Sequence, residues 1–196
     1  MQAVAAAKKE LRQSVLSRRD ALSAEQRARI SAAITERLLT LPSFAAARTV
    51  AAYLSFGSEF DTAGFVSAVL VGGKHLALPR VRREGHEMRF HFVAGLHEFL
   101  LPGPWGIREP DPAHCPEADF SEIDLVLVPG VAFTRRCERL GYGGGFYDGA
   151  IRAMRADVAT VAAAFSIQMV EVLPLEAHDR LVDMVVTEKA TYVSNE

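Results

Sequence analysis

Short apolar runs closed by turn residues alternate along this chain with segments of helical spacing, the pattern of an α/β fold. Residues 3–20 place Val4, Leu11 and Val15 on one helical stripe, with Lys8 and Arg12 one turn apart and able to reach a common anion. Ser23 and Gln26 form a capping box, and Ile30, Ile34, Leu38 and Leu41 line a second helix that Pro42 ends. Together these predict an N-terminal helical hairpin over 1–42, packed on an α/β core. Residues 49–55 read as a strand running into a turn at 56–59, then a helix begun by Asp61 or Thr62 with Phe65 and Val69 inward, then a strand at 74–78. Residues 88–93 alternate apolar and polar, which predicts a strand with one wet face and an outward His91 without a role. The proline- and charge-rich stretch 100–122 reads as a surface excursion. The run 123–128 is a buried strand, a helix begins at Phe146, and 158–165 is another buried strand, giving a right-handed parallel unit. The last predicted strand, 181–186, contains Asp183, and a carboxylate buried there requires a partner such as Lys8, Arg12 or a metal ion.

The loop that joins 128 to the helix at Phe146 is longer than βα connections usually are, and it ends in Arg139-Leu140-Gly141-Tyr142-Gly143-Gly144-Gly145-Phe146-Tyr147-Asp148. Glycines at 141, 143, 144 and 145 let successive N–H groups converge, and a helix N-terminus adds partial positive charge, so the segment suits phosphate. It matches neither the dinucleotide pattern G-x-G-x-x-G nor the Gly-Lys-Ser/Thr of the common triphosphate loop. Arg139 adds fixed charge before the glycines, and Asp148 stands where a carboxylate can hold Mg²⁺ beside a phosphate. A flexible turn capped by aspartate is the alternative, and the attached Arg139, Tyr147 and Asp148 favour the phosphate site. Glu59, in the turn after the first strand, lies where open parallel sheets place ligands; an exposed loop glutamate is the other reading. Trp105, the single tryptophan, either walls an aromatic ligand or packs against the protein.

Composition narrows the class. With 196 residues, 49% hydrophobic and 23% charged, the chain is expected to form one domain over 1–196, and no apolar run reaches the roughly 18–20 residues of a membrane span. The net charge of −2 argues against a general nucleic-acid binder, although residues 1–40 carry eight Lys/Arg against four Asp/Glu. Such an excess is either a solvated helix face or the counter-charge to a polyanionic small ligand. The start of the chain lacks the long apolar core of a signal peptide, which predicts a cytoplasmic protein. Cys115 and Cys137 have no metal spacing and are expected as free thiols.

Taken together, KKELR, YLSFGSEFDT, LALPRV, MRFHFV, GPWGIREP, LVLVPGVAF, RLGYGGGFYD and HDRLVDMVVTE resemble the 5-formyltetrahydrofolate cyclo-ligase family over nearly the whole chain. Thr134, Cys137 and Gly149 depart from it, where the family usually carries Asp, Gly and often a basic residue. The resemblance implies a three-layer α/β/α sandwich with a mostly parallel central sheet. It also implies a cytoplasmic, monomeric enzyme that uses ATP and Mg²⁺ to convert the reduced folate 5-formyltetrahydrofolate to 5,10-methenyltetrahydrofolate, with neither nucleic acid nor membrane as partner. Carried onto this chain, ATP is bound by Lys8, Lys9, Arg12, Arg139, Leu140, Gly141, Tyr142, Gly143, Gly144, Gly145, Phe146 and Tyr147. Leu54, Glu59, Trp105, Tyr142 and Tyr147 line the folate pocket, Asp148 and secondarily Asp183 hold Mg²⁺, and Arg139, Tyr147 and Asp148 serve catalysis. Two other readings remain: a paralogue acting on another small heterocycle, and a nucleotide- or phosphosugar-binding module without catalysis.

Overall fold

The structure is a computed structural model that describes every residue except 1, 83, 97, 98, 177–179, 195 and 196, and the side chains of residues 2 and 105. Its helices are α1 (Gln2–Asp20), α2 (Ala24–Leu39), α3 (Pro42–Ala46), α4 (Ala63–Val71) and α5 (Phe146–Ala153). Its strands are β1 (Thr49–Ala51), β2 (His75–Arg82), β3 (Glu87–Val93), β4 (Leu100–Pro102), β5 (Arg108–Pro110), β6 (Glu117–Ala118), β7 (Leu125–Val128), β8 (Ala132–Phe133), β9 (Arg139–Leu140), β10 (Ala159–Ala163), β11 (Met184–Val186) and β12 (Thr191–Val193).

Eight strands form one sheet in the order β12-β11-β10-β7-β1-β2-β3-β6. The five from β11 to β2 run parallel, with Val50 of β1 opposite both Leu76 and Leu125, and Val126 opposite Thr160. Antiparallel strands finish both edges. The parallel strands are buried on both faces, as the continuous Leu125-Val-Leu-Val128 run requires. Val50, Leu76, Leu125, Leu127 and Val161 pack on one face against Ile34 and Leu38 of α2, Phe44 of α3 and Phe65 and Val69 of α4. On the other face Ala51, Val126, Val128 and Ala162 meet Ala150 and Ile151 of α5. Helices therefore cover both sides of a mostly parallel sheet.

The capping box forms, with Gln26 N donating to Ser23 Oγ at 3.1 Å and Ser23 N to Gln26 Oε1 at 2.9 Å, worth about 1 kcal/mol. A short turn joins α1 to α2, yet their apolar faces bury in different places. Val15 of α1 packs with Val131, Ala132, Leu140 and Leu173, around the small β8–β9 hairpin, while α2 belongs to the sheet's own layer.

Several local expectations are corrected. His91 is buried, only 2% exposed, with Nδ1 at 2.8 Å from the Cys115 carbonyl, because β5 and the segment around Cys115 pack against β2 and β3 on the face expected to be wet. Stretch 100–122 folds into the β4–β5 hairpin and the edge strand β6. The sheet also continues past the last predicted strand into β12. Asp183 is exposed at the N-terminal end of β11, where its carboxylate accepts from Thr160 N at 2.6 Å and Thr160 Oγ1 at 2.8 Å. Its partner is thus a neighbouring strand, and neither Lys8 nor Arg12. Cys115 and Cys137 are free and buried.

Candidate active site

Strand order reverses between β1 and β7: from β1 the chain moves to β2, from β7 to β10 and β11. The crevice outside the carboxyl ends of such strands is where open α/β sheets bind ligands. Here it is a cleft of about 900 Å³, at the upper end of the roughly 300–1,000 Å³ range of ligand pockets. The turn after β1 brings Tyr53, Leu54, Phe56 and Glu59 to it, Pro129 follows from β7, and the glycine loop with the start of α5 forms the opposite wall.

At the glycine-loop end, Gly143 has φ 100° and Gly145, the N-cap of α5, has φ 69°; both lie in the left-handed region that a side chain resists. The first N–H groups of α5 have no intrahelical acceptor, and the residues that carry them line the cleft together with Lys8, Arg12 and Arg139. Each of those cations is already engaged. Lys8 Nζ donates to Glu176 Oε2 at 2.8 Å, and Arg12 Nε donates to the Gly141 carbonyl at 2.8 Å. Arg139 Nη1 donates to the Pro129 carbonyl at 3.1 Å, Nη2 pairs closely with Asp148 Oδ1, and the buried Nε has no hydrogen-bond partner among the described residues. Asp148 occupies the first turn of α5, where the helix dipole favours a carboxylate.

At the other end Glu59 is 7% exposed. Its Oε1 accepts from Tyr142 Oη at 2.5 Å and its Oε2 from Phe56 N at 3.0 Å. Burial raises the pKa of Glu59, and these two bonds together with Arg19 oppose the rise. Burial, reinforced by the Glu59 charge, holds the Tyr142 phenol protonated. The same causes act on Tyr147, whose buried hydroxyl has no partner among the described residues.

The cleft therefore collects Lys8, Arg12, Leu54, Glu59 and the whole run 139–148, Leu140 and Phe146 included. Lys9 is exposed and outside its lining, and Asp183 borders a separate depression of about 320 Å³ near Arg152 and Arg155. The side chain of Trp105 lies outside the described residues, although Pro104 and Ile107 on either side of it line the cleft. For Mg²⁺, no group of three or more His, Cys, Asp or Glu converges among the described residues. At the glycine-loop end the cleft is lined by the carboxylates of Asp148 and of Glu176, the latter bonded to Lys8; Asp148, in the first turn of α5, suits an ion shared with ligand oxygens and water.

Sequence reasoning passed over three contributors. Arg19, 3% exposed, donates from Nε to Ser58 Oγ at 2.9 Å and from Nη1 to Tyr142 Oη at 2.9 Å. Its signal was present, since residues 8, 12 and 19 share one stripe of a helix with 3.6 residues per turn. His86, at the β2–β3 turn, sets Nε2 2.6 Å from the Gly144 carbonyl and stacks on Phe146 at 4.3 Å. Glu176, the partner of Lys8, carried no local signal. The departures also find their setting. Cys137 adopts φ 65°, a conformation that suits the glycine usual there; Thr134 Oγ1 donates to Glu138 Oε2 at 2.7 Å; and a Cβ at Gly149 would meet nothing within 4 Å.

The sequence profile of the 5-formyltetrahydrofolate cyclo-ligase family matches residues 4–188. The chain is 30% identical over 193 residues to the mouse 5-formyltetrahydrofolate cyclo-ligase, covering 94% of this chain and 95% of the relative. It is 32% identical over 182 residues to the Escherichia coli K12 cyclo-ligase, covering 88% and 96%. The solved structure of Aquifex aeolicus 5,10-methenyltetrahydrofolate synthetase superposes with a TM-score of 0.84 at 35% identity, over 96% of this chain and 93% of that one. A synthetase from Mycoplasma pneumoniae shares the fold at 21% identity with a TM-score of 0.75, over 92% and 98%. With that fold, that cleft and these likenesses, the chain belongs to the 5-formyltetrahydrofolate cyclo-ligase family and is an enzyme of that family.

Proposed function

We propose that this enzyme closes 5-formyltetrahydrofolate to 5,10-methenyltetrahydrofolate at the expense of ATP, with Mg²⁺, releasing ADP and phosphate. The observation that carries the proposal is that one loop serves both ends of one cleft. Its glycine amides lie beside Lys8, Arg12 and Arg139, while its Tyr142 bonds the buried Glu59. A triphosphate at the first end and a heterocycle at the second would meet over Tyr147 and Asp148.

In this reading the 5-formyl oxygen attacks the γ-phosphorus and the bond from that phosphorus to the β-bridging oxygen breaks, so that ADP leaves. The phosphorylated formyl carbon is then attacked by the 10-nitrogen. Its C–O bond breaks, phosphate departs with both electrons, and the 10-nitrogen loses its proton to solvent. Such chemistry asks the protein for alignment and charge neutralisation, with no side-chain nucleophile. Arg139 and Lys8 neutralise the phosphates, the Gly141–Gly145 amides orient them, and Mg²⁺ held by Asp148 would spread the charge that develops on them. Glu59 accepts the paired N–H donors of the pterin's N–C–N edge, for which a carboxylate has matching geometry. Leu54 and Phe56 exclude water from the ring.

The test is a near-ultraviolet absorbance time course with 5-formyltetrahydrofolate, Mg²⁺ and ATP, with ATP omitted as control. Methenyl product is expected only when ATP is present. A protein that binds ATP in calorimetry and forms no product would instead be a paralogue acting on another heterocycle.

A further inference from the structure

The carboxylate that faces the heterocycle end and the loop that faces the phosphate end share one hydroxyl. Tyr142 Oη accepts from Arg19 Nη1 at 2.9 Å and donates to Glu59 Oε1 at 2.5 Å. Arg19 is itself fixed, since its Nε donates to Ser58 Oγ at 2.9 Å and Ser58 Oγ bonds Asp20 Oδ1. Tyr142 sits between Gly141 and Gly143, residues free to change their backbone angles, so a displacement of the loop by phosphate moves this hydroxyl against Glu59. The ring of Tyr142 packs at 5.5 Å from Phe56, whose N–H holds the other oxygen of Glu59. Helix α1 frames both ends. Lys8 and Arg12 meet the glycine-loop end, and Arg19, about 10 Å beyond Arg12 on the same stripe, meets the Glu59 end. A rigid rod thus holds the hydroxyl's donor still while the loop carries the hydroxyl.

From this geometry we infer that Arg19 is a positioning residue that acts through Tyr142, and that the Arg19–Tyr142–Glu59 chain couples the occupancy of the phosphate end to affinity at the heterocycle end. The inference rests on the function proposed above. Phosphate bound by the loop amides fixes Tyr142, Tyr142 holds Glu59 in its accepting orientation, and the folate then binds a site already ordered. Because coupling is reciprocal, folate tightens the nucleotide by the same factor.

Calorimetry on the full chain tests this with 5-formyltetrahydrofolate titrated in the presence and absence of Mg²⁺ and the non-hydrolysable analogue AMP-PNP, and then in the reverse order. The wild type is expected to bind folate at least about fivefold more tightly with the analogue bound, the lower end of common coupling factors, and the reverse titration should return the same factor. Tyr142→Phe keeps the ring and removes only the shared hydroxyl, and should bring the factor close to one. Arg19→Gln should do the same, whereas Arg19→Lys, which can still donate to Tyr142, should recover part of it. Should Arg19→Gln fail to fold, Tyr142→Phe at an exposed loop position still decides the matter. Equal folate affinities with and without analogue in the wild type overturn the coupling and leave the proposed function standing. The full factor persisting in Tyr142→Phe overturns the route through the hydroxyl. No binding of folate to the wild type under either condition defeats the proposed function, and the coupling with it.

Discussion

At the glycine-loop end of the cleft the charges are held by anionic and carbonyl acceptors that a ligand can replace, whereas at the Glu59 end the charge is held by neutral donors, the Tyr142 hydroxyl and the Phe56 N–H. Lys8, Arg12 and Arg139 spend their donors on Glu176, the Gly141 carbonyl, and Asp148 with the Pro129 carbonyl. A polyanion competes for those donors, so binding there is an exchange of acceptors. Glu59 has burial working against its charge and two donors working for it, and a ligand's N–H groups add to that set. The first arrangement favours turnover, since what binds by exchange can leave by exchange. The second favours selectivity, since a buried acceptor left without its donor costs about 1–3 kcal/mol.

Substitutions at the two ends should separate along this line. Asp148→Ala is expected to have the largest effect, lowering kcat by at least about a thousandfold while the folate Kd measured by calorimetry changes less than threefold, because several kcal/mol of charge stabilisation act on the transferring phosphoryl group. Mg²⁺-dependent turnover at the wild-type rate would remove Asp148 from the site. Glu59→Gln should weaken folate by roughly 10- to 100-fold, the worth of hydrogen bonds to a charged acceptor, with the KM for ATP little changed in steady-state assays. Equal losses for both ligands would erase the distinction between the ends. Lys8→Ala should raise the KM for ATP about tenfold and spare folate, since a single cation that exchanges Glu176 for a phosphate contributes on the order of 1.4 kcal/mol. Matching losses for both ligands in this variant would indicate damage to the fold.

A smaller effect appears in stability. The folded-state pKa of Glu59 lies above its unfolded value, so the folded protein retains the proton longer. Wild type and Glu59→Gln should therefore keep a constant difference in unfolding free energy below the unfolded pKa. The wild type should then lose ground as pH rises toward and through the folded pKa, by about 1.4 kcal/mol for each unit of elevation. Denaturant titrations at a series of pH values measure this directly, and a pH-independent difference would contradict a desolvated Glu59.

How much of this was legible in the sequence depended on whether the signal was periodic. The run that forms β7 and the apolar spacing of α2 and α4 announced themselves, because burial on one or two faces repeats along the chain. Strands of two or three residues such as β5, β6 and β12 carry no period, and missing the segment from β5 to Cys115 left His91 on an imaginary wet face. Asp183 was misjudged because an apolar run does not show which end of the strand enters the sheet; it stands at the N-terminal end, away from the crevice that parallel sheets use. The place of the glycine loop on the cleft wall was legible because its composition is local. Glu176 was not, because its meeting with Lys8 joins residues 168 positions apart.

One feature of the packing sets how the molecule opens. The helix that carries Lys8, Arg12 and Arg19 buries its apolar side outside both clusters that flank the sheet, against the small group around Val131, Leu140 and Leu173. Such an element can detach without dissolving the sheet, so amide hydrogens of α1 should exchange with solvent well before those of β7 and β10. Ligands that draw on its cations should slow that exchange selectively, making protection of α1 a gauge of occupancy that leaves the core amides unchanged.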